Sequence, residues 1–130
     1  MLPLILTIAI AVIFFVEGGL HLYWAITGKL PEGAVIPRDH DGLQLFDPAP
    51  LMTVAAGVMQ WVGALIVVLP GTKLKFALAS LLFLRAMGEL NYIGFFKRVR
   101  GSRYATLDTW LYSPLCLAQA IGIFWLTQNQ

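Results

Sequence analysis

Residues 2–26 read LPLILTIAIAVIFFVEGGLHLYWAI, and this stretch decides the fold class. It is longer than the roughly 20 apolar residues that an α-helix needs to cross the hydrocarbon core of a bilayer. Its only acidic or basic side chains are Glu17 and His21. The stretch lacks the basic beginning and the small-residue cleavage pattern of a signal peptide. We therefore expect it to be retained as a transmembrane helix.

Three further apolar stretches, at about residues 50–69, 74–96 and 109–126, have the length of a membrane span. Backbone groups left unpaired cannot be satisfied in lipid, so each span is expected to be a helix. The composition agrees, because 58% of the 130 residues are hydrophobic and only 12% are charged, against about 25% charged residues in a soluble domain. The sequence predicts an all-α, four-helix transmembrane bundle, formed as a single integral membrane domain over residues 1–130, with a long first loop.

The same counts exclude several classes of function. A formal net charge of +2 does not make a nucleic-acid-binding surface. The single Cys116 excludes an internal disulfide and a metal site built from several cysteines. One buried histidine cannot supply a haem held by two histidines. We therefore expect no cofactor, no metal site and no nucleic-acid partner.

The orientation follows from the Lys and Arg residues of the loops, which are enriched on the cytoplasmic side. With four spans, the first and third loops share one side of the membrane and hold six Lys and Arg residues, whereas the other side holds Lys73 and Lys75. We expect loops one and three to be cytoplasmic and both termini to lie outside. A homodimer of dual topology stays open. The six residues are Lys29, Arg38, Lys97, Arg98, Arg100 and Arg103.

Pro114 interrupts the fourth span, because proline lacks a backbone donor and clashes with the carbonyl group four residues earlier. Two interpretations fit this position. Ser113 caps a shorter helix that has Pro114 at its first position. Alternatively, Asp108 caps a longer helix that kinks at Pro114.

Charged groups at bilayer depth are costly unless they are paired or hydrated, so each is a candidate for function. Glu17 and His21 are four residues apart on the first helix, and Arg85 and Glu89 are four apart on the third, so each pair shares a helix face. Counted from the side of loops one and three, the two pairs lie at similar depth. We expect Glu17 or Glu89 to pair with Arg85, and His21 to reach Glu89.

Four uncharged polar side chains complete the predicted ligand site: Tyr92, Tyr112, Gln60 and Gln119. Tyr92 continues the face of Arg85 and Glu89, while Tyr112, Cys116 and Gln119 form one stripe of a regular fourth helix. Isolated glutamines also simply join transmembrane helices to one another. A Glu–Arg pair can likewise have the purely structural role of fixing the register of two packed helices. Both of these structural interpretations stay open.

The leading functional hypothesis is a small membrane protein with a polar pocket between its helices for a small or lipid-like ligand, in which Arg85 holds an anionic group. The first loop and the break at residues 112–114 would gate this pocket. The alternatives are a proton-coupled small-molecule exporter, in which Glu17 alternates between proton and substrate, and a structural or accessory membrane subunit. An enzyme using His21 and Glu89 as acid and base is less favoured, because no residue pattern marks a substrate, and we assign no catalytic residue.

Several short motifs carry a resemblance that covers the whole chain and is most specific over residues 85–117. The chain is similar to an uncharacterised family of small bacterial four-span membrane proteins, a domain of unknown function. The resemblance implies a four-helix fold in the bacterial inner membrane and no particular activity. The motifs are Arg85-Ala86-Met87-Gly88-Glu89, Gly94-Phe95-Phe96-Lys97, Gly101-Ser102-Arg103-Tyr104-Ala105, Leu107-Asp108-Thr109 and Tyr112-Ser113-Pro114-Leu115-Cys116-Leu117.

Small multidrug exporters offer a looser resemblance, because they also have four spans and a membrane-buried glutamate in the first helix. Glu17 matches that feature. The chain departs from those exporters in having Arg85 within the third span, a second acid at Glu89 and a 22-residue first loop.

Overall fold

A computed structural model describes residues 1–129 as an all-helical chain with four helices. Three of these helices are long and apolar enough to cross a membrane. The predicted all-α membrane fold is therefore confirmed. The helices are α1 (Leu2–Thr27), α2 (Pro50–Val68), α3 (Thr72–Met87) and a fourth that runs continuously through α4 (Arg103–Leu107), a π-helical turn (Asp108–Tyr112) and α5 (Ser113–Gln128).

The third helix is shorter than the sequence predicts. It ends at Met87 instead of Phe96, and its 16 residues make a helix of about 24 Å. Gly88 then adopts a left-handed conformation with φ of 87°. A Cβ atom at Gly88 would collide with the carbonyl group of Ile93, because the chain folds back onto the end of the helix. Only glycine fits both the backbone angle and this close approach.

The fourth helix matches neither interpretation of Pro114. Its N-cap is Ser102, whose hydroxyl group accepts a hydrogen bond from the backbone of the first turn. The helix then continues through Pro114 because a π-helical turn adds one residue just before it. The N–H group of Ser113 donates to the carbonyl oxygen of Asp108, five residues back. The wider turn is the local change that accommodates a residue without an N–H group.

The chain divides into two compact units. The first unit contains most of the apolar helical surface, and the second contains the first loop and the chain from the second half of α3 to the first half of α5. The first unit consists of Met1–Lys29, Pro48–Ala79 and the chain from Ile121; the second consists of Leu30–Asp47 and Ser80–Ala120.

Small residues bring α1 and α2 together inside the first unit. A Cβ atom added to Gly18 would lie 2.9 Å from the carbonyl oxygen of Gly57, and one added to Gly63 would lie 3.0 Å from the ring of Phe14. Such close backbone approach is how transmembrane helices maximise van der Waals contact when lipid removes the hydrophobic driving force.

Candidate functional site

A buried carboxylate organises the second unit. The side chain of Asp108 has no exposed surface, and its two oxygens accept four hydrogen bonds. Oδ1 accepts from Arg85 Nη2 at 2.7 Å and from the hydroxyl group of Ser113 at 3.2 Å. Oδ2 accepts from Lys97 Nζ at 3.0 Å and from the backbone N–H of Gly94 at 2.7 Å. These four bonds satisfy the acceptor capacity of a carboxylate.

Lys97 is buried as completely as its partner. Its ammonium group donates to Asp108 Oδ2, to the carbonyl oxygen of Gly94 at 3.0 Å and to Thr109 Oγ1 at 2.6 Å. These three bonds use all three N–H groups of the ammonium. Lys97 and Asp108 are therefore fully satisfied by the protein itself.

Arg85 differs from these two groups because its side chain is 32% exposed. Besides Asp108, it donates to Ser113 Oγ and to the hydroxyl oxygen of Tyr104, both at 3.4 Å. A guanidinium group has five N–H donors. Two of the five thus have no partner within residues 1–129. The cluster of Arg85, Lys97 and Asp108, called here the charge cluster, has two positive charges and one negative charge and is formally +1.

The π-helical turn explains how one helix supplies two groups to the charge cluster. In such a turn residues five apart lie above one another, whereas an α-helix aligns residues three or four apart. Asp108 and Ser113 are five apart, and their side chains are hydrogen-bonded. Arg85 on α3 bonds to both of them. Helical π-turns are often found at functional sites.

Glu89 does not share a helix face with Arg85, because α3 has ended before it. Its carboxylate oxygen Oε1 accepts from the backbone N–H groups of Asn91, Tyr92 and Ile93. The predicted continuation of that face to Tyr92 is wrong for the same reason. The acid that pairs with Arg85 is Asp108, one of the two residues that the sequence offers as the cap of the fourth helix.

The first loop is ordered against the start of the fourth helix within the second unit. The hydroxyl group of Tyr112 donates to the carbonyl oxygen of Ala34 at 2.7 Å, and Arg103 Nη1 donates to that of Glu32 at 3.0 Å. The Tyr112 ring lies 5.9 Å from that of Tyr104, which itself bonds to Arg85. The loop thus contacts a residue next to the charge cluster.

Gln119 is buried within α5, with 1% of its surface exposed. Neither its amide nitrogen nor its amide oxygen has a hydrogen-bond partner in the described part of the chain. A buried amide without partners loses its hydration and gains nothing in return. Its burial therefore needs an explanation.

The remaining predicted site residues, Glu17, His21 and Gln60, belong to the first unit. Glu17 and His21 do lie one turn apart on α1, where His21 Nδ1 donates to the backbone carbonyl oxygen of Glu17 at 2.8 Å. The ring of His21 lies 5.3 Å from that of Trp24. Their predicted approach to Arg85 and Glu89 stays a prediction. Arg85, Glu89, Tyr92, Tyr112 and Gln119 all belong to the second unit.

The structure adds Asp108, Lys97, Ser113 and Tyr104 to the predicted site. One signal in the sequence could have found the first of these. Asp108 directly precedes an apolar span, and Arg85 needed an acid at its level whichever helix supplied it. The sequence places Lys97 among the basic residues of the third loop, and the fold of that loop buries it.

Two large side chains close to the charge cluster along the chain are exposed on the surface. Trp110 and Leu111, in the π-helical turn beside Asp108, are 79% and 51% exposed. Tryptophan is enriched at the boundary between the headgroups and the hydrocarbon of a membrane.

An open depression elsewhere on the chain has no predicted site residue in its lining, which is formed by Thr72, Lys73, Phe76, Thr127 and Gln128.

A family model described as a protein of unknown function (DUF3995) matches residues 14–123. The match covers most of the chain and every member of the charge cluster, so the chain belongs to this family. The predicted membership of an uncharacterised family is thereby confirmed. The comparisons with curated proteins and with solved structures gave no match.

Proposed function

We propose that this small membrane protein binds the anionic group of a small or lipid-like ligand at the charge cluster. The observation that carries the proposal is the state of Arg85. It keeps one third of its side-chain surface exposed and has two N–H donors without a partner among residues 1–129, whereas Asp108 and Lys97 are fully satisfied. A cluster of net positive charge with an open guanidinium group favours a phosphate or a carboxylate.

The surroundings of the charge cluster favour a lipid as the source of this anion. Trp110 is expected to mark the level of the membrane interface, and Asp108 lies two residues before it on the same helix. Phospholipid phosphates are concentrated at that level.

We further propose that this level is on the cytoplasmic side of a bacterial inner membrane, as the Lys and Arg residues of the loops predict. A reporter fused after residue 130 would then read periplasmic, and a cytoplasmic reading would reverse the assignment.

The binding test compares lipids by their effect on thermal unfolding of the detergent-solubilised protein. Phosphatidic acid should raise the unfolding midpoint more than phosphatidylcholine of the same acyl chains, because only the former has net negative charge. Inorganic phosphate distinguishes a free anion from a lipid headgroup. Equal responses to all three additions would overturn the proposal.

Arg85→Lys is the informative variant, since it keeps the positive charge beside Asp108 and removes the planar donor fork. It should reduce the preference for phosphatidic acid about threefold or more in apparent affinity, measured against its own lipid-free midpoint. Arg98→Lys makes the same change at an exposed position and should keep the preference. The same loss in both variants would show general surface attraction instead of a site.

The accessory-subunit hypothesis has an observation of its own. Asp108 and Lys97 are fully satisfied within the protein, as expected of a network that only maintains the fold. Under that hypothesis Arg85→Lys lowers the lipid-free unfolding midpoint and changes no lipid preference. The same experiment therefore decides between binding and structure.

A further inference from the structure

We infer that the first loop inserts an apolar tip into the membrane interface, where it contacts lipid irrespective of the charge of the headgroups. The apolar tip consists of Leu43, Leu45 and Phe46, which are 65%, 40% and 46% exposed. Large apolar side chains grouped in this way on a surface loop mark a contact with another molecule or with a membrane. This inference does not depend on the proposed anion site.

Backbone hydrogen bonds order the segment that presents the apolar tip. The N–H group of Asp39 donates to the carbonyl oxygen of Leu43 at 2.9 Å, and that of Leu45 donates to the carbonyl oxygen of Pro37 at 3.0 Å. Asp39 Oδ1 also accepts from the N–H groups of Asp41 and Leu43, both at 2.9 Å, which closes the turn. Residues 37–45 therefore form a small hairpin that holds the apolar side chains in a defined direction.

The hairpin has one polar and one apolar face. Arg38 and Gln44 form an antiparallel bridge, so their side chains share a face. Successive residues of an extended chain point to opposite faces, which places Leu43 and Leu45 on the other face. Asp39 is the charged residue of that face, and its carboxylate is directed back to the N–H groups of the turn. Opposed polar and apolar faces are the pattern of segments that lie in the plane of a membrane interface.

The attachments of the first loop hold the apolar tip near the level of the interface. Within the second unit, Ala34 accepts a hydrogen bond from Tyr112, two residues after the exposed Trp110. Further along the chain, the 19 residues of α2 make a helix of about 29 Å, close to the roughly 30 Å of the hydrocarbon core. Phe46 precedes Pro50, the first residue of α2, by four residues, or at most about 14 Å of extended chain. The apolar tip is thus tied to the edge of the hydrocarbon.

Area and charge favour lipid over a second copy of the chain as the partner of the apolar tip. Three such side chains, each about half exposed, offer on the order of 300 Å² of apolar surface, whereas a stable interface buries about 800 Å² on each partner. A membrane contact needs no such area, because the spanning helices already hold the loop beside the lipid. Residues 37–47 hold Arg38 against Asp39, Asp41 and Asp47, so neutral lipid should be sufficient.

The experiment attaches the fluorophore NBD to single cysteines, introduced as Leu43→Cys, Gln44→Cys and Leu45→Cys in a Cys116→Ser background. Each full-length protein is placed in phosphatidylcholine nanodiscs and quenched by iodide from the water or by doxyl-labelled phosphatidylcholine from the bilayer. Iodide quenching at positions 43 and 45 should be at least about threefold weaker than at position 44, and lipid quenching should be stronger. Position 44 is the matched control, because it has the same label on the opposite face.

A second set of variants tests the apolar side chains themselves. With NBD on Phe46→Cys, the pair Leu43→Gln and Leu45→Gln should increase iodide quenching about threefold, because the apolar face is lost. Asp41→Asn changes a charge of the same hairpin and should leave the quenching unchanged. Hydrogen exchange of the unlabelled chain, which keeps Cys116, should also become faster at residues 43–46 in the Leu43→Gln, Leu45→Gln variant.

Three outcomes would overturn the inference. The first is equal iodide quenching at positions 43, 44 and 45, or no effect of the paired leucine substitutions on position 46. The second is protection that appears only after phosphatidylglycerol is added, which would show attraction by charge. The third is protection that increases with the number of protein copies in each nanodisc, which would identify a second copy of the chain as the partner.

Discussion

The two compact units are stabilised internally by different interactions. In the first unit, α1 and α2 approach through Gly18 and Gly57, and Trp61 stacks on Phe15 and donates to its carbonyl oxygen at 3.1 Å. In the second unit, a single carboxylate at Asp108 joins two helices and a loop through four donors. The first kind of packing depends on shape and the second on charge, so substitutions should separate them.

The largest expected effect comes from removing the carboxylate. Asp108→Ala leaves the charges of Arg85 and Lys97 without compensation, and breaking a buried pair in this way costs about 3–5 kcal/mol in soluble proteins. We expect a loss of that order in the free energy of unfolding, measured by denaturant or thermal titration in detergent. Asp47→Ala, at an exposed position of the first loop, is the control and should change stability little. Similar losses in both variants would count against the central role of Asp108.

A shape change in the first unit should have the next largest effect. Gly57→Ala places a Cβ atom 2.9 Å from the carbonyl oxygen of Gly18 and 3.2 Å from the Cβ of His21, so α1 and α2 must separate. Overpacking of this kind costs about 1–3 kcal/mol. Gly19→Ala meets nothing within 4 Å and should be neutral or stabilising, because alanine favours the helix. Unfolding titrations of the two variants make the comparison, and equal losses would show that the close contact is unimportant.

Removal of the Glu89 carboxylate tests the fold of the segment that follows α3. Glu89→Ala removes the acceptor of the three backbone N–H groups of residues 91–93, and loss of a typical hydrogen bond costs about 0.5–1.5 kcal/mol. Faster hydrogen exchange confined to these amides would accompany the loss. Glu32→Ala removes a carboxylate from an exposed position without this role. Unchanged exchange in the Glu89 variant would contradict the assignment.

The smallest effect is expected where the first loop is attached. Tyr112→Phe removes the hydrogen bond to the carbonyl oxygen of Ala34 and should cost about 0.5–1.5 kcal/mol. Limited proteolysis should then cut the first loop faster, while α1 and α2 stay protected. Tyr23→Phe, on the exposed side of α1, is the control. A loop that resists cleavage in both variants would show that other contacts hold it.

Hydropathy was sufficient to predict the helices of the first unit. Residues 2–26 and 50–69 were expected to be spans, and α1 and α2 occupy Leu2–Thr27 and Pro50–Val68. The prediction succeeded because long apolar runs leave the backbone only one way to satisfy its hydrogen bonds in lipid. The contact between the two helices also follows the small residues of α2, which the sequence displays directly.

The site in the second unit was only partly predictable. Arg85 was expected to need an acidic partner, and it has one, but the partner is Asp108. Helix periodicity pointed to Glu89 because it assumed that α3 continues, whereas Gly88 ends the helix through a conformation that depends on the loop packed against it. The π-helical turn aligns Asp108 with Ser113, five residues apart, whereas regular helix periodicity aligns residues three or four apart. Such features are decided by the completed network and not by local pattern.

A pair of double-mutant cycles tests the central claim, which is that Asp108 and not Glu89 is the acid that compensates Arg85. One cycle combines Arg85→Met with Asp108→Leu, and the other combines Arg85→Met with Glu89→Gln. The free energy of unfolding should show a coupling of about 1.5–3 kcal/mol in the first cycle and below about 0.5 kcal/mol in the second. Additive losses for Arg85 with Asp108, together with strong coupling to Glu89, would contradict the account.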